Sequence, residues 1–305
     1  EEGLGMKIYS SVNRPEELLE LEVVRCMRDG SRQVVQDAVQ EENVLEVFVD
    51  GERILQTRCS ANYLDELVIG RLITTGVISS VNEIDCLTVS EPPLHADVWL
   101  YHIAGAPSFE RKDGTLALER IDALFDEEWT LFGERKHQGA ARESGAHGEI
   151  WSTDEEAATP SDEGLAPVIP IPWSQAEVFA EVVEFATDRT SHRKTRGTHS
   201  AYLFHKGELL LRREDIGRHN AFDKVVGAAL LSGVDLTECT LFTSGRVPTD
   251  MCAKAVRARI PIVVSKAVPT VDTVKMARAY DLKLICKATP ESFEIVNDPL
   301  GVCHA

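Results

Sequence analysis

The stretch that decides the fold is Glu214-Asp215-Ile216-Gly217-Arg218-His219-Asn220-Ala221-Phe222-Asp223-Lys224. It sits between Glu208–Leu211, which reads as a strand, and His219–Leu231, whose apolar residues recur at helical spacing. Upstream, Ser200–Phe204 and Glu208–Leu211 flank a Lys206-Gly207 turn, which predicts a hairpin. Ser174 with Glu177 three residues later forms a capping box that predicts a helix to about Thr187. Downstream come strand Thr240–Thr243, helix Pro248–Arg259, strand Pro261–Ser265, helix Thr270–Tyr280 and strand Leu282–Cys286. Strands and helices alternating over short links predict an α/β fold with a mostly parallel sheet covered by helices.

The first half reads differently. Leu21–Met27 alternates apolar with polar and ends at Asp29-Gly30. Val44–Val49 and Arg53–Gln56 flank Asp50-Gly51, a favoured hairpin turn. Asn62–Thr74 has helical spacing and is followed by Gly76, a helix stop. Ile84–Val89 and Asp97–Ile103 read as further strands. Residues 127–170 are charged, rich in small residues and poor in aliphatic ones, which marks a linker or functional loop. The expected organisation is therefore a smaller β-rich N-terminal α+β subdomain over 1–126, an acidic flexible loop over 127–170, and an α/β ligand-binding domain over 171–305.

With 43% apolar and 27% charged residues, the chain predicts a packed core. No apolar run is long enough to span a membrane, and Glu1-Glu2 does not resemble a signal peptide, so a cytoplasmic location is expected. A net charge of −18 argues against nucleic acid and anionic membranes as partners. That charge is uneven. Residues 110–165 hold fifteen acidic and six basic residues, a net of −9. Residues 189–224 hold nine Lys or Arg against four acids, a net of +5, with four histidines. Such a basic island is either a solvated face or a pocket for a phosphate-bearing ligand. The seven cysteines have no C-x-x-C spacing, so neither a zinc knuckle nor a disulfide framework is indicated.

Three strand-end turns concentrate reactive groups. Thr195-Arg196-Gly197-Thr198-His199-Ser200-Ala201 places Thr198 and His199 at the mouth of a strand. His199 there suits an anion donor or an acid–base group, or else ties the turn together. In the deciding stretch, Glu214, Asp215, Gly217, Arg218, His219, Asn220, Asp223 and Lys224 lie where open α/β sheets place ligands. Arg218 is suited to bidentate phosphate or carboxylate contact. An ion-paired network that locks the turn is the structural alternative, and Asp223 with Lys224 would fit a local ion pair. Ser244, Gly245 and Arg246 form a third turn able to present backbone N–H groups to an anion, and Ser265–Thr270 a fourth. Zinc deaminase motifs, a P-loop and a G-x-S-x-G nucleophile are all absent, and no ligand spacing supports a metal at His199, His219 and Asp215.

Glu214–Lys224 closely resembles the E-D-[VI]-G-R-H-N-A-x-D-K signature of the formate dehydrogenase accessory sulfurtransferase (FdhD) family. Thr195–Ala201 is similar to its T-G-G-x-H-x-A turn, with Arg196 in place of a glycine. Ser244-Gly245-Arg246 resembles its S-[GS]-R turn, Lys254 its helix lysine, and Ala267-Val268-Pro269-Thr270 its [SA]-x-P-T turn. Asp50-Gly51, Asp65-Glu66-Leu67, Ile69-Gly70 and Gly76 resemble its N-terminal stretch.

The resemblance implies a cytidine-deaminase-like three-layer C-terminal region without deaminase chemistry. It implies a homodimer that takes persulfide sulfur from a cysteine desulfurase. The sulfur would pass to the molybdenum bis-guanine dinucleotide cofactor of formate dehydrogenase or another molybdoenzyme client. The polar turns and Lys254 would hold the cofactor's GDP-like parts, with no intrinsic metal. One departure stands out: the family's sulfur-carrying C-x-x-C has no counterpart, because the loop at 127–170 contains no cysteine. Cys252 is the candidate thiol nearest the turns in sequence. A sulfurtransferase and a non-catalytic cofactor carrier or insertion chaperone are both consistent with this pattern.

Overall fold

A computed structural model describes residues 6–12, 18–91, 93–101, 164–187 and 197–301. The expected loop therefore lies outside the described residues except for 164–170. In the first half, strands β1 (Lys7–Ser10), β6 (Ile84–Ser90), β7 (His95–Leu100), β4 (Asn43–Val49) and β5 (Glu52–Cys59) form one sheet in that order. The β4–β5 turn has φ of 50° at Asp50 and 83° at Gly51. Positive φ at both central residues gives the turn the twist of its strands, as the Asp-Gly pair predicted. Helix α1 (Leu64–Thr75) follows β5 and stops at Gly76, φ 79°. Strands β2 (Leu18–Cys26) and β3 (Arg32–Gln40) pair with each other in a separate two-stranded sheet.

The second half holds helix α2 (Gln175–Thr187) and a six-stranded sheet ordered β13-β12-β11-β10-β8-β9. Its strands are β8 (His199–His205), β9 (Glu208–Asp215), β10 (Thr240–Thr243), β11 (Ile262–Ser265), β12 (Lys283–Cys286) and β13 (Glu294–Asn297). Helices α3 (Arg218–Leu231), α4 (Thr249–Arg257) and α5 (Val271–Ala279) connect β9 through β12. The capping box holds: Ser174 N–H donates to Glu177 Oε2 at 2.8 Å, and Glu177 N–H to Ser174 Oγ at 3.2 Å.

The expectation of a mostly parallel sheet needs correction. Only β10, β11 and β12 pair in parallel, and the pairings with β8, β9 and β13 are antiparallel. The tight Lys206-Gly207 turn, with φ of 51° and 77°, reverses the chain directly and leaves no crossover.

Helices cover both faces of this sheet. On one face, Tyr202, Phe204, Phe242, Val264 and Ile285 pack with Trp173 and with Val178 and Val182 of α2. On the other, Leu203, Leu241, Val263 and Leu284 join a larger cluster with α3 and α4. That cluster continues through Leu67 and Leu72 of α1 into Leu45, Val47, Leu87 and Val98 of the five-stranded sheet. The two halves, expected as separate subdomains, thus share one apolar core.

The join between them is a helix crossing of unusual closeness. A Cβ built on Gly70 of α1 would lie 1.8 Å from the Asp223 carbonyl oxygen of α3. A Cβ on Gly227 of α3 would lie 1.9 Å from the Glu66 carbonyl oxygen of α1. Backbone meets backbone on both sides, so no side chain fits. Gly70→Ala is expected to force the helices apart and destabilise the fold by about 3 kcal/mol or more, read as a lower denaturant midpoint. An unchanged midpoint would contradict the crossing.

Under α2, Glu181 is 1% exposed and its Oε2 lacks a hydrogen-bond partner. Burial pushes its carboxyl up to about 8, with a bond from Thr240 opposing. The fold therefore favours the protonated acid. That contribution is fully present below the usual carboxylate value and is lost as pH rises through about 8. Glu181→Gln should match the parent protein at pH 5 and exceed it in stability at pH 9 by on the order of 2–4 kcal/mol. An equal difference at both pH values in urea titrations would refute this.

Candidate functional site

Strands β9, β10, β11 and β12 all end at the edge where β8 begins, because His199 pairs with Asp215 and Ala201 with Thr243. The four polar turns singled out in the sequence therefore gather along one sheet edge. Hydrogen bonds lock them together. Ser200 N–H donates to Ser244 Oγ at 2.9 Å, and Ser244 N–H to Ser200 O at 3.0 Å. Ser200 Oγ donates to Glu214 Oε1 at 3.1 Å. His199 Nδ1 lies 3.4 Å from Ser244 Oγ. Ser265 Oγ donates to Gly245 O at 2.8 Å, and Lys266 N–H to Thr243 O at 3.3 Å.

Gly245 is the point of convergence. A Cβ there would sit 3.1 Å from Arg218 Cβ and 3.6 Å from His199 Nδ1. The glycine lets Arg218 and His199 pack against the same turn, and Arg246, the next residue, is exposed. Lys266 is exposed after β11. Gly217 begins α3 without a side-chain cap. Guanidinium groups, an imidazole and backbone N–H groups at a helix start suit a phosphate-bearing anion.

The deciding stretch divides between two tasks. Asp215, Asn220, Asp223 and Lys224 are at most 3% exposed and turn inward. Asp215 accepts from Ser60 N–H at 3.1 Å and Gly217 N–H at 3.0 Å, and pairs with Lys224 Nζ at 2.6 Å. Lys224 also donates to Ser60 O at 3.1 Å and Asn62 Oδ1 at 2.7 Å. Asn220 donates to Arg58 O at 2.7 Å and accepts from Arg71 at 2.8 Å. Asp223 pairs with Arg71, accepts from Thr74 Oγ1 at 2.7 Å, and pairs with Lys254 Nζ at 2.7 Å.

Burial opposes the Asp223 charge, but Lys254 and Arg71 hold its carboxyl below the usual range. Burial and then Arg71 push the Lys254 ammonium down to about 7, against the pull of Asp223.

These residues were expected to bind ligand. Asp215, Asn220, Asp223, Lys224 and Lys254 instead bond protein groups, and their burial removes them from a solvent-facing surface. Asp223 and Lys224 do not pair with each other; each reaches a different partner. Thr198 is likewise buried, at 2% exposure. Glu214, Gly217, Arg218, His219 and Ser244 are half-buried along the edge.

Several partners were missed in the sequence. Arg71 and Thr74 of α1 complete the Asp223–Lys254 cluster, and a lone Arg amid the apolar spacing of 62–74 was the available signal. Glu66 pairs with Arg213, bringing Oε1 within 2.6 Å of a terminal guanidinium nitrogen. His219 Nε2 pairs with Asp250 of α4, a contact no spacing announced.

Cys252, the candidate thiol of the sequence, lies on α4. It is fully buried, and burial pushes its thiol up to about 12, leaving almost no thiolate. Cys59 and Cys286 are raised to about 12 and Cys239 to about 11 by the same cause. Cys26 is exposed on β2, Cys86 is half-buried, and Cys303 lies outside the described residues. Among the described residues no three His, Cys, Asp or Glu side chains are grouped to hold a metal.

Comparison with known proteins gives concordant results. The model of the FdhD/NarQ family matches residues 40–302. A sulfur carrier protein FdhD from Bacillus pumilus is 30% identical over 273 residues, covering 90% of this chain and 93% of that protein. Its counterpart from Bacillus subtilis is 28% identical over 270 residues, covering 88% and 92%. The fold resembles the crystal structure of a putative formate dehydrogenase accessory protein from Desulfotalea psychrophila, with a TM-score of 0.68 at 21% identity. That match covers 94% of this chain and 100% of the other.

Proposed function

We propose a function that starts from one fact: the chain belongs to the FdhD/NarQ family. The protein is an accessory factor in the maturation of a formate dehydrogenase or a related molybdoenzyme. Its cargo is the molybdenum bis-guanine dinucleotide cofactor, held by its nucleotide phosphates along the edge formed by His199, Arg218, Ser244, Gly245 and Arg246. The observation that carries this reading is the packing of Arg218 and His199 against Gly245, with Arg246 next in the chain. Cations gathered there offset the net charge of −18, which would otherwise repel a polyphosphate. The reading also includes a cytoplasmic location; free cysteines support it, and no described helix is long and apolar enough to cross a membrane.

GDP stands in for the nucleotide part of the cargo. At about 100 times its Kd it should stabilise the protein by about 2.7 kcal/mol, a rise in Tm of several degrees. Arg218→Ala and Arg246→Ala should each abolish that rise while leaving the ligand-free Tm within about 2 °C. Retention of the full GDP response in both variants would sink the assignment.

A second reading, sulfur transfer from a cysteine desulfurase, is favoured by the names of the relatives. The residues favour a carrier or insertion chaperone, because 127–170 holds no cysteine and the buried thiols resist ionisation. Incubation with a cysteine desulfurase and cysteine, followed by intact mass measurement, separates the two. The carrier reading expects no gain of a sulfur atom on any cysteine. A stoichiometric persulfide would restore the sulfurtransferase.

A further inference from the structure

Helices α3 and α4 are joined by two acid–base pairs. His219 pairs with Asp250, and Asp223 pairs with Lys254, whose Nζ lies 2.7 and 2.9 Å from the two carboxylate oxygens. His219 and Asp223 fall one turn apart on α3, and Asp250 and Lys254 one turn apart on α4. Residues at that spacing share a helix face, so the pairs stack as two rungs about 6 Å apart. The base comes first on α3 and the acid first on α4, so acid and base alternate along each helix as well as across. The upper rung lies at the start of both helices, next to Arg218, and its side chains are 16% and 17% exposed. The lower rung is fully buried.

Lys254 is faced by Arg71 and Thr74 from α1 and by Asp223 from α3, with Asp250 one turn earlier on α4. Asp223 is thus shared between two cations, Lys254 and Arg71. With Lys254 ionised, Arg71 and Lys254 balance Asp223 and Asp250. Without that proton the same four groups carry a net of −1, and His219 is left to offset Asp250. Burial opposes both carboxylates, but Lys254 and Arg71 hold Asp223, and His219 holds Asp250, below the usual range. Burial and then Arg71 push the Lys254 ammonium down to about 7, so it changes charge near neutral pH.

We propose that the lower rung regulates the phosphate edge by proton linkage: an anion held by Arg218 and Arg246 draws a proton from solvent onto Lys254, and loss of that proton weakens the grip. The inference rests on the phosphate reading of that edge and adds its regulation. Arg218 opens the helix that carries Asp223, so a bound phosphate and Lys254 are roughly 10 Å apart. A unit anion at that distance raises the pKa of a buried ammonium by about one. Coupling is reciprocal, so nucleotide affinity falls as pH rises through the titration of Lys254. Cargo is held in the protonated state and released toward the deprotonated one.

GDP is the probe and pH 7 to 9 the range, because a terminal phosphate with a pKa of about 6 is already ionised there. Titration calorimetry on the full chain should show GDP affinity falling about fivefold from pH 7 to pH 9. At pH 8, titrations in two buffers of different ionisation heat should report uptake of about 0.4 proton on binding. Lys254→Met should bind GDP with the parent's pH 9 affinity throughout, without the fall or the uptake. Arg71→Met, which removes a cation that pushes Lys254 down, should move the fall to higher pH. Equal affinity at pH 7 and pH 9 in the parent would overturn the proposal, and so would a fall that persists in Lys254→Met. Should Lys254→Met not fold, an unshifted fall in Arg71→Met overturns it. Absence of GDP binding at every pH removes the phosphate reading itself, and this inference with it.

Discussion

The rest of the molecule depends on the contact of Gly70 with Gly227, where helices α1 and α3 meet backbone to backbone. Only at that separation do the short side chains of one helix reach the other. Asp223 and Asn220 then lie within hydrogen-bond distance of Arg71 and Thr74. Lys254 reaches the same cluster from α4 and donates to Thr74 Oγ1 at 3.0 Å. A helix pair spread by larger residues would leave these charges unpaired in an apolar interior, at a cost of several kcal/mol each. Close packing and the buried ion cluster are therefore one constraint.

That constraint gives the candidate site its shape. Asp215 and Asn220 fix the turn between β9 and α3 by bonds to Gly217 and to the first half of the chain. With the turn fixed, Arg218 is delivered to Gly245 and His219 to Asp250. Inward-facing residues set the backbone, and outward-facing ones present charge. Buried polar groups of this kind contribute position rather than contact, and their satisfied bonds keep the edge rigid before any ligand arrives.

Charge at the edge works against the charge of the whole. A net of −18 repels anions at long range, while Arg218, Arg246 and Lys266 along the sheet edge attract them at short range. The cysteines are mostly core residues, held as small hydrophobes by surroundings that disfavour the thiolate.

Much of this was written in the sequence. The Asp50-Gly51 and Lys206-Gly207 turns, the Ser174–Glu177 box and the Gly76 stop depend on residues a few positions apart, so local chemistry determined them. The four polar turns were legible for the same reason, since each adjoins a short apolar strand. What the sequence left open was which way each side chain of Glu214–Lys224 turns, because inward and outward residues there are equally polar. The sequence also pointed to a mostly parallel sheet, since a parallel and an antiparallel neighbour bury the same apolar run. Tertiary structure decided both. Asp223 finds Arg71 and Asp215 finds Ser60 across more than 150 positions, a distance closed only when two glycines let the helices touch.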